Sequence, residues 1–329
     1  MVKDPKIVVI GGGTGSFAVL SELKHFSSNI TALVNMADDG GSTGQLRDEY
    51  GVLPPGDIRQ CLVALSDAPQ SVRDLFNFRF PGESSLAGHS FGNLFISAVE
   101  IMTDNFSQAV KSASEVLNIK GQVLPVSLDK CELVMKVGNK VTAGQSTIVK
   151  TQIGIKVKPK LLLKPLARIS SQAKKAIIDA DLIVIAPGDL YTSIAPALLV
   201  EGMNEAIKNS KADLVYVCNL VNKKNHTASF TVNDYVYELE RILGTKGISK
   251  VLYNTDTPSE YLLNKYALEG EFPVIIDPEE FKYSDYVAIG GNFLSHERRS
   301  RDKNDIFLKR SLIRHDGKAI SKAILDCLK

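Results

Sequence analysis

The chain opens with a short apolar run at residues 6–10, then a cluster of glycines, then Phe17, Leu20 and Leu23 at helical spacing. That pattern predicts strand, loop and helix in that order. A second apolar run at residues 30–34 stands at the distance expected for a βαβ unit and ends in the polar, glycine-rich stretch 35–44. After it, Ile58, Cys61, Leu62 and Leu65 share one helical face, and Asp57 with Gln60 three residues later reads as an N-cap and its capping-box partner. Another helix is predicted from about Ser90, carrying Leu94, Phe95, Ala98 and Val99.

Between about residues 123 and 169 the apolar runs shorten and alternate, with turns at Gly138-Asn139 and near Gly144, which predicts an antiparallel β-rich insertion. The longer alternation then resumes. A helix precedes Asp181, a strand covers 182–186, a Pro187-Gly188 loop leads to a helix from Ala197 to Ile207, and strands follow at 214–218 and 251–253. Strands alternating with helices imply a Rossmann-like, doubly wound α/β fold with a mainly parallel sheet, one domain over all 329 residues, and the β insertion within it.

Composition supports an ordinary globular protein, since 44% of residues are apolar and 23% charged. A formal net charge of +2 supplies little field for nucleic acid, so no nucleic-acid partner is expected. The densest charge run, residues 296–305, mixes both signs and reads as a solvated loop. No stretch reaches the ~18 apolar residues of a membrane span, and the N-terminal run is too short for a signal core; no membrane insertion and a cytoplasmic location are expected. Cys61, Cys131, Cys218 and Cys327 lie far apart without metal-ligand spacing, which favours reduced thiols over zinc or disulfides.

The candidate chemistry gathers in loops that follow strands. Gly12, Gly13, Thr14 and Gly15 stand between a strand and a helix, where missing side chains let backbone N–H groups approach an anion and the helix N-terminus favours negative charge. Ser16 at the third glycine position, and Asn35 rather than an acid closing the second strand, disfavour a nicotinamide site; no Walker lysine follows either. Asp38 and Asp39, ahead of Ser42, fall at the same end of the sheet, where they would hold Mg²⁺ against a phosphate, accept a proton, or simply form an Asx turn. Asp57 reads as a cap or a working carboxylate, and Arg59 as a partner of a nearby acid or a phosphate clamp. His89 and Asn93 flank another glycine-bearing helix start and are either ligand contacts or capping residues. Gly188, Tyr191, Thr192 and Ser193 form a second phosphate-loop candidate, with an ST-capped helix as the plainer alternative.

In order along the chain, GGGTG, VNMADDGGSTGQLRDEYGVLPPGDIRQCLVALS, GHSFGNL and APGDLYTS resemble the CofD/YvcK-like family, the UPF0052 group. The resemblance implies a Rossmann-like sheet with additions, and two functional branches. One branch is a Mg²⁺-dependent transferase that moves 2-phospho-lactate from a guanosine diphosphate adduct onto a deazaflavin alcohol in coenzyme F420 synthesis. The other, the YvcK branch, is associated with gluconeogenic growth and cell shape and binds UDP-sugars such as UDP-N-acetylglucosamine.

Residues 38–66 and the ending Leu312-Ile313-Arg314-His315-Asp316 look more like the second branch. On that resemblance Tyr266, in a predicted helix at 259–268, would stack on a uracil or sugar, Arg314 would pair with a diphosphate, and Asn219 would help fix the nucleoside. The expected partner is a UDP-sugar or other nucleoside diphosphate. Binding would need no cofactor, Mg²⁺ is compatible with it, and a homo-oligomer and a further protein partner are left open. The transferase branch would instead use Asp38, Asp39 and Asp57 as Mg²⁺ ligands or base, with Arg59 stabilising phosphate charge. Two departures from the family pattern stand out: Asp189 where a serine is expected, and Asn225-His226-Thr227-Ala228 in place of Gly-Glu-Thr-Asp. An acid beside a phosphate is unfavourable unless a cation bridges the two.

Overall fold

The computed structural model describes residues 4–154, 157–296 and 312–328. Its main sheet contains β1 (Ile7–Ile10), β2 (Ile30–Val34) and β3 (Gln122–Pro125), and, after the insertion, β7 (Leu182–Ile185), β8 (Asp213–Val217), β9 (Ile248–Asn254) and β10 (Val287–Gly291). The insertion supplies β4 (Glu132–Val137), β5 (Lys140–Ala143) and β6 (Lys160–Lys164), which form a separate sheet in the order β5-β4-β6. The main sheet runs β10-β9-β8-β7-β1-β2-β3, and all its neighbouring pairs are parallel.

Strands covered on both faces read as unbroken apolar runs, and the central pair shows it: β1 is IVVI and β7 is LIVI, every residue buried. The pleat then sorts alternate residues. Ile7 and Val9 join one core with Val19, Leu20, Ile58, Leu62, Ile320 and Ile324, whereas Val8 and Ile10 join the other with Ile177, Ile194, Leu198 and Leu239. Helices therefore cover both faces, which is the doubly wound arrangement expected from the alternation. Among the described residues no helix is long and apolar enough to cross a membrane.

Helices on the first face include α1 (Gly13–Leu23), α2 (Gly41–Tyr50), α3 (Gly56–Leu65), α4 (Gln70–Asn77), α5 (Phe91–Thr103) and α6 (Phe106–Val116). Two expectations change. The stretch 35–44 is not loop throughout, because α2 starts at Gly41; its glycines and lone inward Leu46 hide the helical period. The antiparallel sheet begins at Glu132, and the run containing Val123 is instead the outer parallel strand beside β2. The charge run read as a solvated loop lies outside the described residues apart from His296, which pairs with Asp256 at 2.6 Å.

The strand order sets the position of the site. β1 and β7 are neighbours, but the chain leaves β1 toward β2 and β3 and leaves β7 toward β8, β9 and β10. The winding direction reverses between β1 and β7, and in doubly wound sheets ligands bind at such a switch point, outside the carboxyl ends of the strands.

Candidate functional site

The loops leaving β1 and β7 meet. A Cβ placed on Gly15 would fall on the Pro187 carbonyl oxygen, so only a glycine allows this approach. The helix α1 has Gly12 at its N-cap and no side chain capping it. One of its first N–H groups, that of Gly13, donates to the Asp57 carboxylate, and a Cβ on Gly12 would strike the same group. An internal acid thus sits at the helix start where an external anion was expected.

Asp57 is not the cap of α3. The helix starts at Gly56 with Pro55 at the N-cap and no side-chain capping bond, so the expected pairing with Gln60 is absent. The start two residues earlier than an Asp57 cap implies puts Asp57 in the first turn, from which its carboxylate crosses to α1. Burial, and then the nearby Asp38 carboxylate, push the Asp57 carboxyl up to about 7, against the opposing pull of Arg59 and the Gly13 N–H.

Asp38 and Asp39 diverge. Asp38 Oδ1 accepts the Gly40 N–H at 3.0 Å in an Asx turn. Its other oxygen lies 3.2 Å from the point a Gly56 Cβ would occupy. Asp39 Oδ1 turns to the insertion and accepts the Ser146 N–H at 2.7 Å, in the first turn of the short helix Gln145–Ile148. The expected shared Mg²⁺ clamp of Asp38 and Asp39 is therefore not assembled; the carboxylate whose charge acts on Asp57 is Asp38. Among the described residues no three His, Cys, Asp or Glu side chains are grouped for a metal.

Behind these loops runs a polar wall. Arg59 is 1% exposed. Its Nε donates to Asn93 Oδ1 at 3.0 Å, and Nη1 reaches Asn77 Oδ1 and, at 3.5 Å, the Phe76 carbonyl. Asn93 Nδ2 in turn donates to Ser42 Oγ at 3.3 Å, and Ser42 Oγ lies 2.9 Å from His89 Nδ1. Burial, then Arg79, lower Arg59 to about 10 despite Asp57, so the guanidinium stays charged at neutral pH. The buried guanidinium holds the wall together, which corrects its reading as a clamp reaching for phosphate. Ser90 caps α5 by accepting the Asn93 N–H at 3.2 Å, so the alternative of a capping loop holds for that pair. Asn35, at the end of β2, accepts the Ala37 N–H at 2.8 Å, while its buried Nδ2 has no partner among the described residues.

The β7 loop is pinned from β8. Asn219 Oδ1 accepts the Gly188 N–H at 3.2 Å and its Nδ2 donates to the Gly188 carbonyl at 2.7 Å. Asp189 caps the π-helical turn Leu190–Ile194, accepting the Thr192 N–H at 3.0 Å and the Thr192 hydroxyl at 2.8 Å. Tyr191, expected at the ligand, is 1% exposed and donates to Glu238 Oε1 at 3.0 Å, so it belongs to the core. The Thr192 hydroxyl is likewise spent on Asp189, whereas Ser193 stays half-buried beside Gly188. The two departures in the sequence are partners: Asp189 Oδ2 lies 3.6 Å from His226 Nδ1.

Tyr266 and the segment carrying Arg314 share one corner. The Tyr266 hydroxyl accepts the N–H groups of Leu312 at 2.8 Å and Ile313 at 3.2 Å. His315 donates from Nε2 to the Cys218 carbonyl at the end of β8, at 3.1 Å, and burial lowers it to about 4, so the ring is neutral. Sequence reasoning missed His315, and missed that His226 answers Asp189; the signal for the second was that two departures occurred together.

A doubly wound parallel sheet with glycine loops touching at its switch point defines a Rossmann-like α/β protein, a class that binds ligands at the carboxyl ends of the strands there. Residues 7–294 match the family described as 2-phospho-L-lactate transferase CofD, and the chain belongs to that family. It is 38% identical over 330 residues, covering 100% of both chains, to the gluconeogenesis factor of Bacillus subtilis. To the gluconeogenesis factor of Halalkalibacterium halodurans it is 38% identical over 327 residues, covering 99% of this chain and 97% of that one. A crystal structure of a UPF0052 family member from Bacillus halodurans superposes with a TM-score of 0.89 at 36% identity, covering 99% of this chain and 100% of the other.

Proposed function

We propose that this protein is a cytoplasmic UDP-sugar-binding regulator, with UDP-N-acetylglucosamine the type ligand, linked to gluconeogenic growth and cell-wall precursor supply. The observation that carries the reading is the corner where the Tyr266 hydroxyl holds the backbone next to Arg314, at the crevice end of the sheet. The half-buried Tyr266 ring would stack on uracil or sugar and Arg314 would meet the diphosphate. Gly12, Gly13, Thr14 and Gly15 with Gly188 and Ser193 would border the phosphates. Relatives named gluconeogenesis factor over their whole length support this branch. A regulator of this kind transmits occupancy through differential affinity for two states.

The activity by which the family is described supports a second reading, phospholactate transfer with Mg²⁺, and one observation favours it: the neighbouring carboxylates of Asp38 and Asp57, with Asp57 held at about 7, suit a cation or a proton. Phosphorus NMR separates the two. For a regulator, the diphosphate signals of UDP-N-acetylglucosamine shift on adding protein and the ligand is recovered intact after prolonged incubation with Mg²⁺. New phosphorus signals, or no shift with UDP-sugar and a clear one with GDP, would move the protein to the transferase reading.

A further inference from the structure

His226 is buried, and both its ring nitrogens face acceptors. Nε2 lies 2.9 Å from the Ile148 carbonyl of the insertion, and Nδ1 faces Asp189 Oδ2 at 3.6 Å. Neither acceptor can donate, and a neutral imidazole has only one N–H, so the neutral ring would turn a bare lone pair toward either the Ile148 carbonyl or the Asp189 carboxylate, whereas the cation offers an N–H to the first and its charge to the second. Burial alone would lower its pKa; the hydrogen bond and charge of Asp189, with the Ile148 and Thr151 carbonyls, outweigh that and raise it.

The surroundings add no competing charge. The Tyr191 ring meets the imidazole edge-on at 5.7 Å. Glu238, which takes the Tyr191 hydroxyl, is paired with Arg241 at 2.6 Å. Tyr235, from the same helix, donates to Thr227 at 2.9 Å, and Lys223 is paired with Glu271 at 2.8 Å. Asp189 is thus held from both sides, Oδ1 by Thr192 and Oδ2 by His226.

We propose that His226 is a positioning residue, held as an imidazolium, that neutralises Asp189 from behind the β7 loop and so lets that loop border an anionic diphosphate. This rests on the proposed nucleotide-diphosphate reading of the crevice. Asp189 by itself would repel a phosphate, and the two departures compensate each other. The same ring ties the loop to the insertion, whose short helix receives Asp39 at its other end.

The test is a mutant cycle on the full chain, with UDP-N-acetylglucosamine and uridine as probes. His226→Gln should weaken UDP-sugar binding by about tenfold and leave uridine unchanged, because only the diphosphate feels the exposed acid. Asp189→Asn/His226→Gln should recover most of the loss. Wild-type affinity for the UDP-sugar should fall as pH rises through the raised His226 value, and that slope should vanish in the double variant. Nitrogen NMR of the ligand-free protein should find both His226 ring nitrogens protonated at neutral pH. A single neutral tautomer, or equal losses in the single and double variants, would overturn the proposal. Should the wild type bind no UDP-sugar, the functional reading fails; the nitrogen spectrum, and the recovery of His226→Gln thermal stability by Asp189→Asn, still decide the pair.

Discussion

At the scale of single residues, the site keeps groups in states that cost stability. Asp57 is the clearest case. Its folded value of about 7 lies above the ordinary carboxylate value, so between the two the folded state holds a proton that the unfolded chain has released. Stability contributed by this group is therefore full below about pH 4 and declines as pH rises toward 7. Asp57→Asn should stabilise the protein at about pH 8, by an amount on the order of 2–4 kcal/mol, and give no gain at acid pH. Denaturant unfolding at both pH values checks this, and a gain independent of pH would show that the carboxyl is not held above its usual range. Gly15 makes the opposite kind of demand. Gly15→Ala drives a methyl into the Pro187 carbonyl and should cost about 2–4 kcal/mol with separation of the two loops. Gly41→Ala meets no neighbour and should cost only about 1 kcal/mol from its positive φ. Thermal unfolding of the two variants would contradict the contact if they lost equally.

At the scale of elements, the sequence was legible where local pattern decides and silent where tertiary contact does. The strand-glycine-helix starts after β1 and β7 were legible because glycine at that junction has few other uses. The direction of Asp57 was not: it depends on α3 starting at Gly56 rather than two residues later, a choice tied to the preceding Pro54-Pro55 and to the tight approach of Gly56 to Thr43. Tyr191 looked like a ligand contact because it follows a glycine loop. It is buried because the loop runs into a π-helical turn and Glu238, from a distant helix, takes its hydroxyl. Asp38 and Asp39 are adjacent in sequence, and no pattern along the chain reveals that one faces α3 and the other the insertion. Asn219, a ligand contact by family resemblance, braces Gly188 with both ends of its amide.

At the scale of the whole molecule, the alternation of strands and helices was enough for a doubly wound sheet, but strand order was not readable, because the neighbouring central strands β1 and β7 are nearly the same apolar run and nothing along the chain pairs them. The order decides function: it puts β1 beside β7 and so joins two glycine loops more than a hundred and fifty residues apart in the chain. Family resemblance, rather than pattern, pointed to Tyr266 and Arg314, and the fold brings their segments together through the Tyr266 hydroxyl. On the proposed function, this corner and the glycine loops form one UDP-sugar site. Calorimetric titration with UDP-N-acetylglucosamine and GDP, on wild type, Tyr266→Phe and Arg314→Ala, tests it most directly. The expected result is selective UDP-sugar binding without added Mg²⁺, weakened about tenfold by Arg314→Ala and several-fold by Tyr266→Phe, which keeps the ring but releases the 312–313 backbone. Binding of GDP in preference to the UDP-sugar, dependent on Mg²⁺ and unchanged in both variants, would contradict it.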